Sequence, residues 1–183
     1  MTRKIQLIVG STRQNRAADA ILTWLVPQIE ATADIELEVV DLKTEDLPFF
    51  NAPVSPMYAP DESEAGKRWA ARIAPADGYI FLTPEYNRSI PAPLKNALDF
   101  LLAEWKEKPA VVVSYGWIDG GQSAARHLTD ILDWLKVSTV QPQVHLKFEA
   151  EMMNEQGQLA NAVEAFTPQN EQLAQALKQL ANA

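Results

Sequence analysis

Along the chain, solid apolar runs of four or five residues alternate with longer stretches whose apolar positions fall three and four apart. Ile5–Val9 (IQLIV) is β-branched and ends at Gly10-Ser11, the pattern of a central strand. Ala17, Ile21, Leu22, Leu25 and Ile29 then mark one face of a helix over Ala17–Glu30, with Pro27 disturbing only its last turn. Ile35–Leu42 alternates at first, as a partly exposed strand does. Glu62–Ile73 reads as a helix and Gly78–Leu82 as a buried strand. Leu94, Ala97, Leu98, Leu101, Leu102 and Trp105 form a helical stripe, and Pro91 and Pro93 suit the first turn of that helix, where amides have no intrahelical partner. Ala110–Val113 is a further buried strand, followed by a helix along Ala124, Leu128, Ile131, Leu132 and Leu135. Val137–Leu146 reads as the last strand, and Pro142 within it argues for an edge position or a bulge. A polar, hairpin-like stretch and a helix carrying Leu173, Leu177 and Leu180 complete the chain.

This alternation predicts a single α/β domain over residues 1–183, a five-stranded parallel sheet with helices on both faces. Right-handed crossovers favour the doubly wound order 2-1-3-4-5. In that topology ligands sit beyond the carboxyl ends of the strands, where successive connections diverge to opposite faces.

Composition excludes several classes of function. No apolar run approaches the roughly 20 residues of a membrane helix, and MTRKIQLIVGS is too short a stretch for a secretory signal, so the expected compartment is the cytoplasm. The net charge of −8, with no cluster of Lys and Arg, argues against nucleic acid and means that an anionic ligand must be held by local devices. Absence of cysteine removes disulfides, thiolate catalysis and cysteine-bound metal. His127 and His145 are isolated, and both read as structural or surface residues. Trp24, Trp69, Trp105 and Trp134 are expected to pack beneath helices.

Three loops stand out, and the topology would bring all three to one crevice. GSTRQNR (Gly10–Arg16) offers amides at a helix start, two hydroxyls and two arginines, a combination suited to a phosphate. It has neither the Walker nor the GxGxxG spacing, and taken alone it is equally an ordinary capped turn. Pro84–Asn87 (PEYN) is a stiff polar turn able to hydrogen-bond the edge of a flat heterocycle, with Tyr86 and Tyr115 available to pack on the ring. SYGWIDGG (Ser114–Gly121) is the third. A fourth loop, DLPFFNAPVSPMYAP (Asp46–Pro60), is long and proline-rich, as functional or mobile loops are.

The combination GSTRxxR, PEYNxSxPxxLKNAxDxL and SYGxxxGGxxA resembles the NAD(P)H-dependent FMN reductase family of flavodoxin-like quinone and azo-dye reductases. The likeness runs from Ile5 to about Leu135, with fainter echoes in Leu47–Asn51 and around Gly157. It implies a flavodoxin-like fold and non-covalent FMN, with its phosphate on Ser11, Arg13 and Arg16. Pro84, Glu85, Tyr86 and Asn87 would hold the isoalloxazine and ribityl side, and Tyr115 and Gly116 the pyrimidine edge. Two positions depart from the common pattern. Arg16 stands where many members have serine, and Trp117 fills the last position of the usual SYGG. The resemblance further implies an enzyme with NADPH or NADH as reductant and a small acceptor such as a quinone. The chemistry then belongs to the cofactor, with no catalytic side chain and no metal required. A homodimer or homotetramer is implied, for which Pro48–Pro60 and the helix from Pro91 are the candidate interface. Turnover is expected to be ping-pong, with Arg88 and Lys95 as the local cations for the dinucleotide. A flavodoxin-like electron carrier that does not oxidise NAD(P)H, or a scaffold without turnover, are the alternatives.

Overall fold

A computed structural model describes residues 2–183. Its strands are β1 (Arg3–Val9), β2 (Ile35–Asp41), β3 (Gly78–Pro84), β4 (Pro109–Gly116), β5 (Ser138–Thr139) and β6 (Val144–Lys147). They alternate with α1 (Ala17–Glu30), α2 (Glu64–Ile73), α3 (Ala92–Asp99) and α4 (Gln122–Trp134); α5 (Ala162–Ala165) and α6 (Asn170–Asn182) follow β6. The pairings are parallel, in the order β2-β1-β3-β4-β5, with β6 also paired to β4. This is the flavodoxin-like doubly wound arrangement.

The strand pattern explains the layering. Every residue of β3 is buried, because this central strand is covered on both faces, whereas the edge strand β2 alternates with solvent. Successive side chains point to opposite faces, so each strand serves two cores. Leu7, Val9, Leu82 and Val113 join α1 and α6 on one face. Ile8, Phe81, Ala110 and Val112 join α2, α3 and α4 on the other.

Four local expectations change. The last strand is split: Ser138–Thr139 and Val144–Lys147 each pair with β4, and Pro142, which has no N–H to donate, lies in the gap. Helix α3 stops at Asp99, and Leu101 and Trp105 reach the core from the turns beyond it; the apolar spacing there marks burial rather than helix. Helix α2 begins at Glu64, with Ser63 capping it by accepting from the Gly66 amide at 3.0 Å. Trp134 is 69% exposed, because two positions beyond buried Leu132 is roughly 200° around the helix. Trp24, Trp69 and Trp105 are buried as expected.

The Asp46–Pro60 loop forms no helix or strand. It is held by the Asn96 amide, which accepts from the Phe50 N–H at 2.9 Å and donates to the Pro48 carbonyl at 2.8 Å. The polar stretch after β6 folds back through an antiparallel bridge between Met153 and Leu159. Among the described residues, no helix is long and apolar enough to cross a membrane.

Candidate functional site

The carboxyl ends of β1, β3 and β4 bring the three loops together. At Gly10 a Cβ would stand 3.0 Å from Leu94 and 3.1 Å from the Leu82 carbonyl, so a side chain here would crowd β3 and α3 and force them to shift. Ser11 follows, fully buried, its hydroxyl 2.8 Å from that of Tyr86. The β1 loop and the β3 turn are therefore in direct contact.

Arg16 shapes the first loop. Its Nε donates to Asp19 at 2.8 Å, and Nη1 donates to Asp41 at 2.7 Å and to the Ser11 carbonyl at 2.5 Å; Nη2 also meets Asp41. Its side chain is 5% exposed. The Asp41 hydrogen bond raises the Arg16 pKa above its ordinary value, against the opposing effect of burial. For Asp41 burial works upward, and the Arg16 hydrogen bond, the Lys43 amide and the charges of both residues together outweigh it, leaving the carboxyl below the usual range. Arg16 is thus already occupied by two carboxylates. Arg13 is exposed, lies 5.9 Å over the Tyr86 ring and, among the described residues, has no carboxylate partner. Sequence reasoning missed Asp19 and Asp41. An acidic residue closing a β-branched strand (EVVD) at the carboxyl edge of the sheet was the available signal.

The β3 turn is stiffened by more than proline. Tyr86 and Ser89 exchange backbone hydrogen bonds at 2.8 and 3.0 Å, and Asn87 and Arg88 between them have φ of 50° and 68°. Two left-handed central residues are what a type I′ turn requires, and asparagine tolerates that conformation well. Pro84 closes β3, and the Glu85 amide donates to the Tyr115 carbonyl at 3.1 Å, tying the turn to β4. Asn87 projects into solvent at the tip. The Glu85 carboxylate turns inward and accepts from the Ser123 and Ala124 amides at 3.0 and 3.3 Å.

Arg88 and Lys95 are not free cations. Arg88 lies 3.7 Å from Glu85 and 3.6 Å from Asp119, and Lys95 pairs with Asp99 at 2.6 Å. Tyr115 also differs from expectation. Its side chain points into the core beneath the β1 loop, 5.8 Å from the Phe148 ring, rather than over the mouth. Burial raises its pKa, with Tyr86, Ser11, Arg16 and Asp19 all close enough to act on it. The Tyr115 hydroxyl is buried, and the Ser11 side chain beside it falls short of hydrogen-bond geometry. An unpaired polar group of this kind costs about 1–3 kcal/mol.

On the α1 side of the mouth a cavity of about 480 Å³ lies between Arg13, Asn15 and Asp19 and an opposite wall of Trp117, Phe148 and Leu159. Trp117 is 54% exposed and stands edge-on to Phe148, with ring centroids 5.7 Å apart. Gly116, at the end of β4, lies next to Glu85 and Gly121. Nothing in the local sequence marked Phe148 or Leu159 for this position, because only the path of the chain after β6 brings them there.

Ser114 and His145 brace the β4 loop from below. The Ser114 hydroxyl donates to the Gly120 carbonyl at 2.7 Å and so accepts from His145 Nδ1, also at 2.7 Å. Burial lowers the His145 pKa, with Asp119 opposing it. His127 meets Ser89 at 3.0 Å. Among the described residues no group of three His, Cys, Asp or Glu side chains is placed to hold a metal.

Comparison with known proteins shows the family. Residues 3–151 match the NADPH-dependent FMN reductase family. An NAD(P)H-dependent FMN reductase of Schizosaccharomyces pombe is 38% identical over 150 residues, covering 80% of this chain and 74% of the relative. A quinone reductase of Pseudomonas putida is 32% identical over 173 residues, covering 88% and 87%. Among solved structures, the flavoenzyme NAD(P)H:(acceptor) oxidoreductase FerB of Paracoccus denitrificans superposes with a TM-score of 0.72 at 26% identity, over 97% of this chain and 98% of that one. The family match over residues 3–151 and the relatives along most of the chain are decisive: the chain belongs to the NADPH-dependent FMN reductase family.

Proposed function

We propose that the protein is an FMN-dependent NAD(P)H oxidoreductase that reduces quinones or related small acceptors by ping-pong turnover. The observation that carries this reading is the Tyr115 hydroxyl buried under the β1 loop, the same loop that carries Arg13, which has no carboxylate partner among the described residues. A buried hydroxyl beneath a loop that also offers an unpaired cation fits an anionic group, and the phosphate of FMN would supply one.

The residues present fit the whole cofactor. Ser11 and Arg13 receive the phosphate at the start of α1, and Tyr115 adds its hydroxyl from below. Arg16 acts as the brace that fixes the loop, since its donors already serve Asp41, Asp19 and the Ser11 carbonyl. Pro84, Glu85, Tyr86 and Asn87 frame the ring and ribityl side, and Gly116 leaves room for the pyrimidine edge. Bound FMN supplies the hydride and electron transfer chemistry. The protein orients the ring and limits access to it. Reductant and acceptor share the mouth beside Arg13 and Trp117 and therefore enter in turn.

A homo-oligomer in the cytoplasm completes the reading. Phe49, Val54, Met57 and Tyr58 of the proline-rich loop are exposed, and Met57 borders a cavity of about 420 Å³ with Leu102, Ile131 and Trp134. A second copy of the chain is the proposed occupant of this apolar face, and sedimentation equilibrium tests it. The central test is anaerobic stopped-flow mixing. NAD(P)H should bleach the flavin at least as fast as turnover, and a quinone should restore it. A flavin that ignores both nicotinamides would make the protein an electron carrier instead.

A further inference from the structure

Helix α4 begins without a cap of its own. Gly121, the residue before it, has φ 83° and no side chain to offer. The first amides are nevertheless satisfied: Asp119 Oδ1 accepts from Gly121 and Gln122, both at 3.2 Å. Glu85 Oε2 accepts from Ser123 and Ala124. One of these carboxylates belongs to the loop itself. The other is borrowed from the β3 turn.

We propose that Glu85 is a positioning residue that fixes the β3 turn against α4, and that its charge cancels the positive end of α4 beside the flavin. The inference rests on the flavin seat proposed above. Glu85 contributes its backbone amide to β4 and its carboxylate to α4, so one residue sets the spacing between the two loops that frame the ring. Its side chain is 11% exposed, which keeps the interaction out of bulk water. Arg88, from the same turn, adds a second tie through Ser123 Oγ at 3.2 Å. The amides of a helix start carry roughly half a positive charge, which would stabilise a reduced, electron-rich ring nearby. Glu85 offsets that charge and holds the potential down.

Two substitutions separate position from charge. Glu85→Gln keeps an oxygen able to accept from both amides but removes the charge. It should leave FMN and riboflavin affinities within about threefold of wild type, while raising the two-electron midpoint potential by about 30 mV, the equivalent of a tenfold change in the oxidised-to-reduced ratio. Glu85→Ala removes the tie, and both flavins should bind about tenfold more weakly, to equal extents. The measurements are fluorescence titration with each flavin, equilibrium dye reduction, and circular dichroism to confirm folding. A wild-type potential in Glu85→Gln overturns the electrostatic role, and unchanged affinities in Glu85→Ala overturn the positioning role. If Glu85→Ala does not fold, Glu85→Gln still decides the charge, and Glu85→Asp, too short to span the gap, replaces it for position. Failure of the wild-type protein to bind either flavin would instead overturn the flavin seat itself.

Discussion

The β1 loop and the β3 turn face each other across 2.8 Å, joined by the Ser11 and Tyr86 hydroxyls, yet they are made rigid by opposite means. The β1 loop depends on one long side chain, Arg16, which ties the loop to the end of β2 and to α1. The β3 turn depends on its backbone, a type I′ turn whose tip asparagine is left free. The first design concentrates stability in a buried ion network, where loss of one partner strands a charge. The second spreads it over local hydrogen bonds, so that side chains at the tip can change without cost to the fold.

Substitutions should expose that contrast, and the largest effect belongs to Arg16. Arg16→Ala strands Asp41 and frees the Ser11 carbonyl, so a urea melt should show a loss of about 2–4 kcal/mol. A loss below about 1 kcal/mol would mean that the loop is held by its backbone, like its partner. Arg13→Ala should leave the melt unchanged and instead cost roughly 1.5–3 kcal/mol in FMN affinity, about ten- to a hundredfold, with riboflavin hardly affected. Equal losses for the two ligands would remove the phosphate from this loop.

Asn87 tests the other side. Asn87→Gly suits the positive φ and deletes only the amide, so stability should hold while FMN and riboflavin both weaken, by about 0.5–1.5 kcal/mol. A loss confined to FMN would contradict the assignment of this turn to the ring. The smallest effect concerns the brace beneath the β4 loop. Burial keeps His145 neutral below the ordinary histidine value of 6.5, so the unfolded chain takes up a proton before the folded one does. Stability should therefore fall as pH drops through about 6.5, by no more than about 1 kcal/mol. His145→Gln should flatten that slope between pH 7.5 and 5.5, and an unchanged slope would exclude His145 as its source.

How the chain divides what it encodes locally from what it leaves to assembly is clear from particular residues. Ile5–Val9, Gly78–Leu82 and Ala110–Val113 declare themselves as buried strands because a solid apolar run has no stable exposed conformation. The helical stripes of α1 and α4 do so by their spacing. With connections that are right-handed by rule, these elements determine the sheet order, and the sheet order determines that loops 10–16, 84–88 and 114–121 share one edge. So the fold and the identity of the candidate loops were legible. The roles within those loops were not. Arg16 reads as a free cation until Asp41, 25 residues away, is seen to pair with it. Glu85 reads as a ring contact until the α4 amides, 38 residues on, are seen to take its carboxylate. Tyr115 reads as a residue free to pack on a ring until β4 is seen to bury it against Phe148. Apolar burial is a property each residue carries into any fold, and it shows in local spacing. The pairing of a charge depends on which opposite charge the folded chain brings within about 3 Å, and tertiary structure alone decides that.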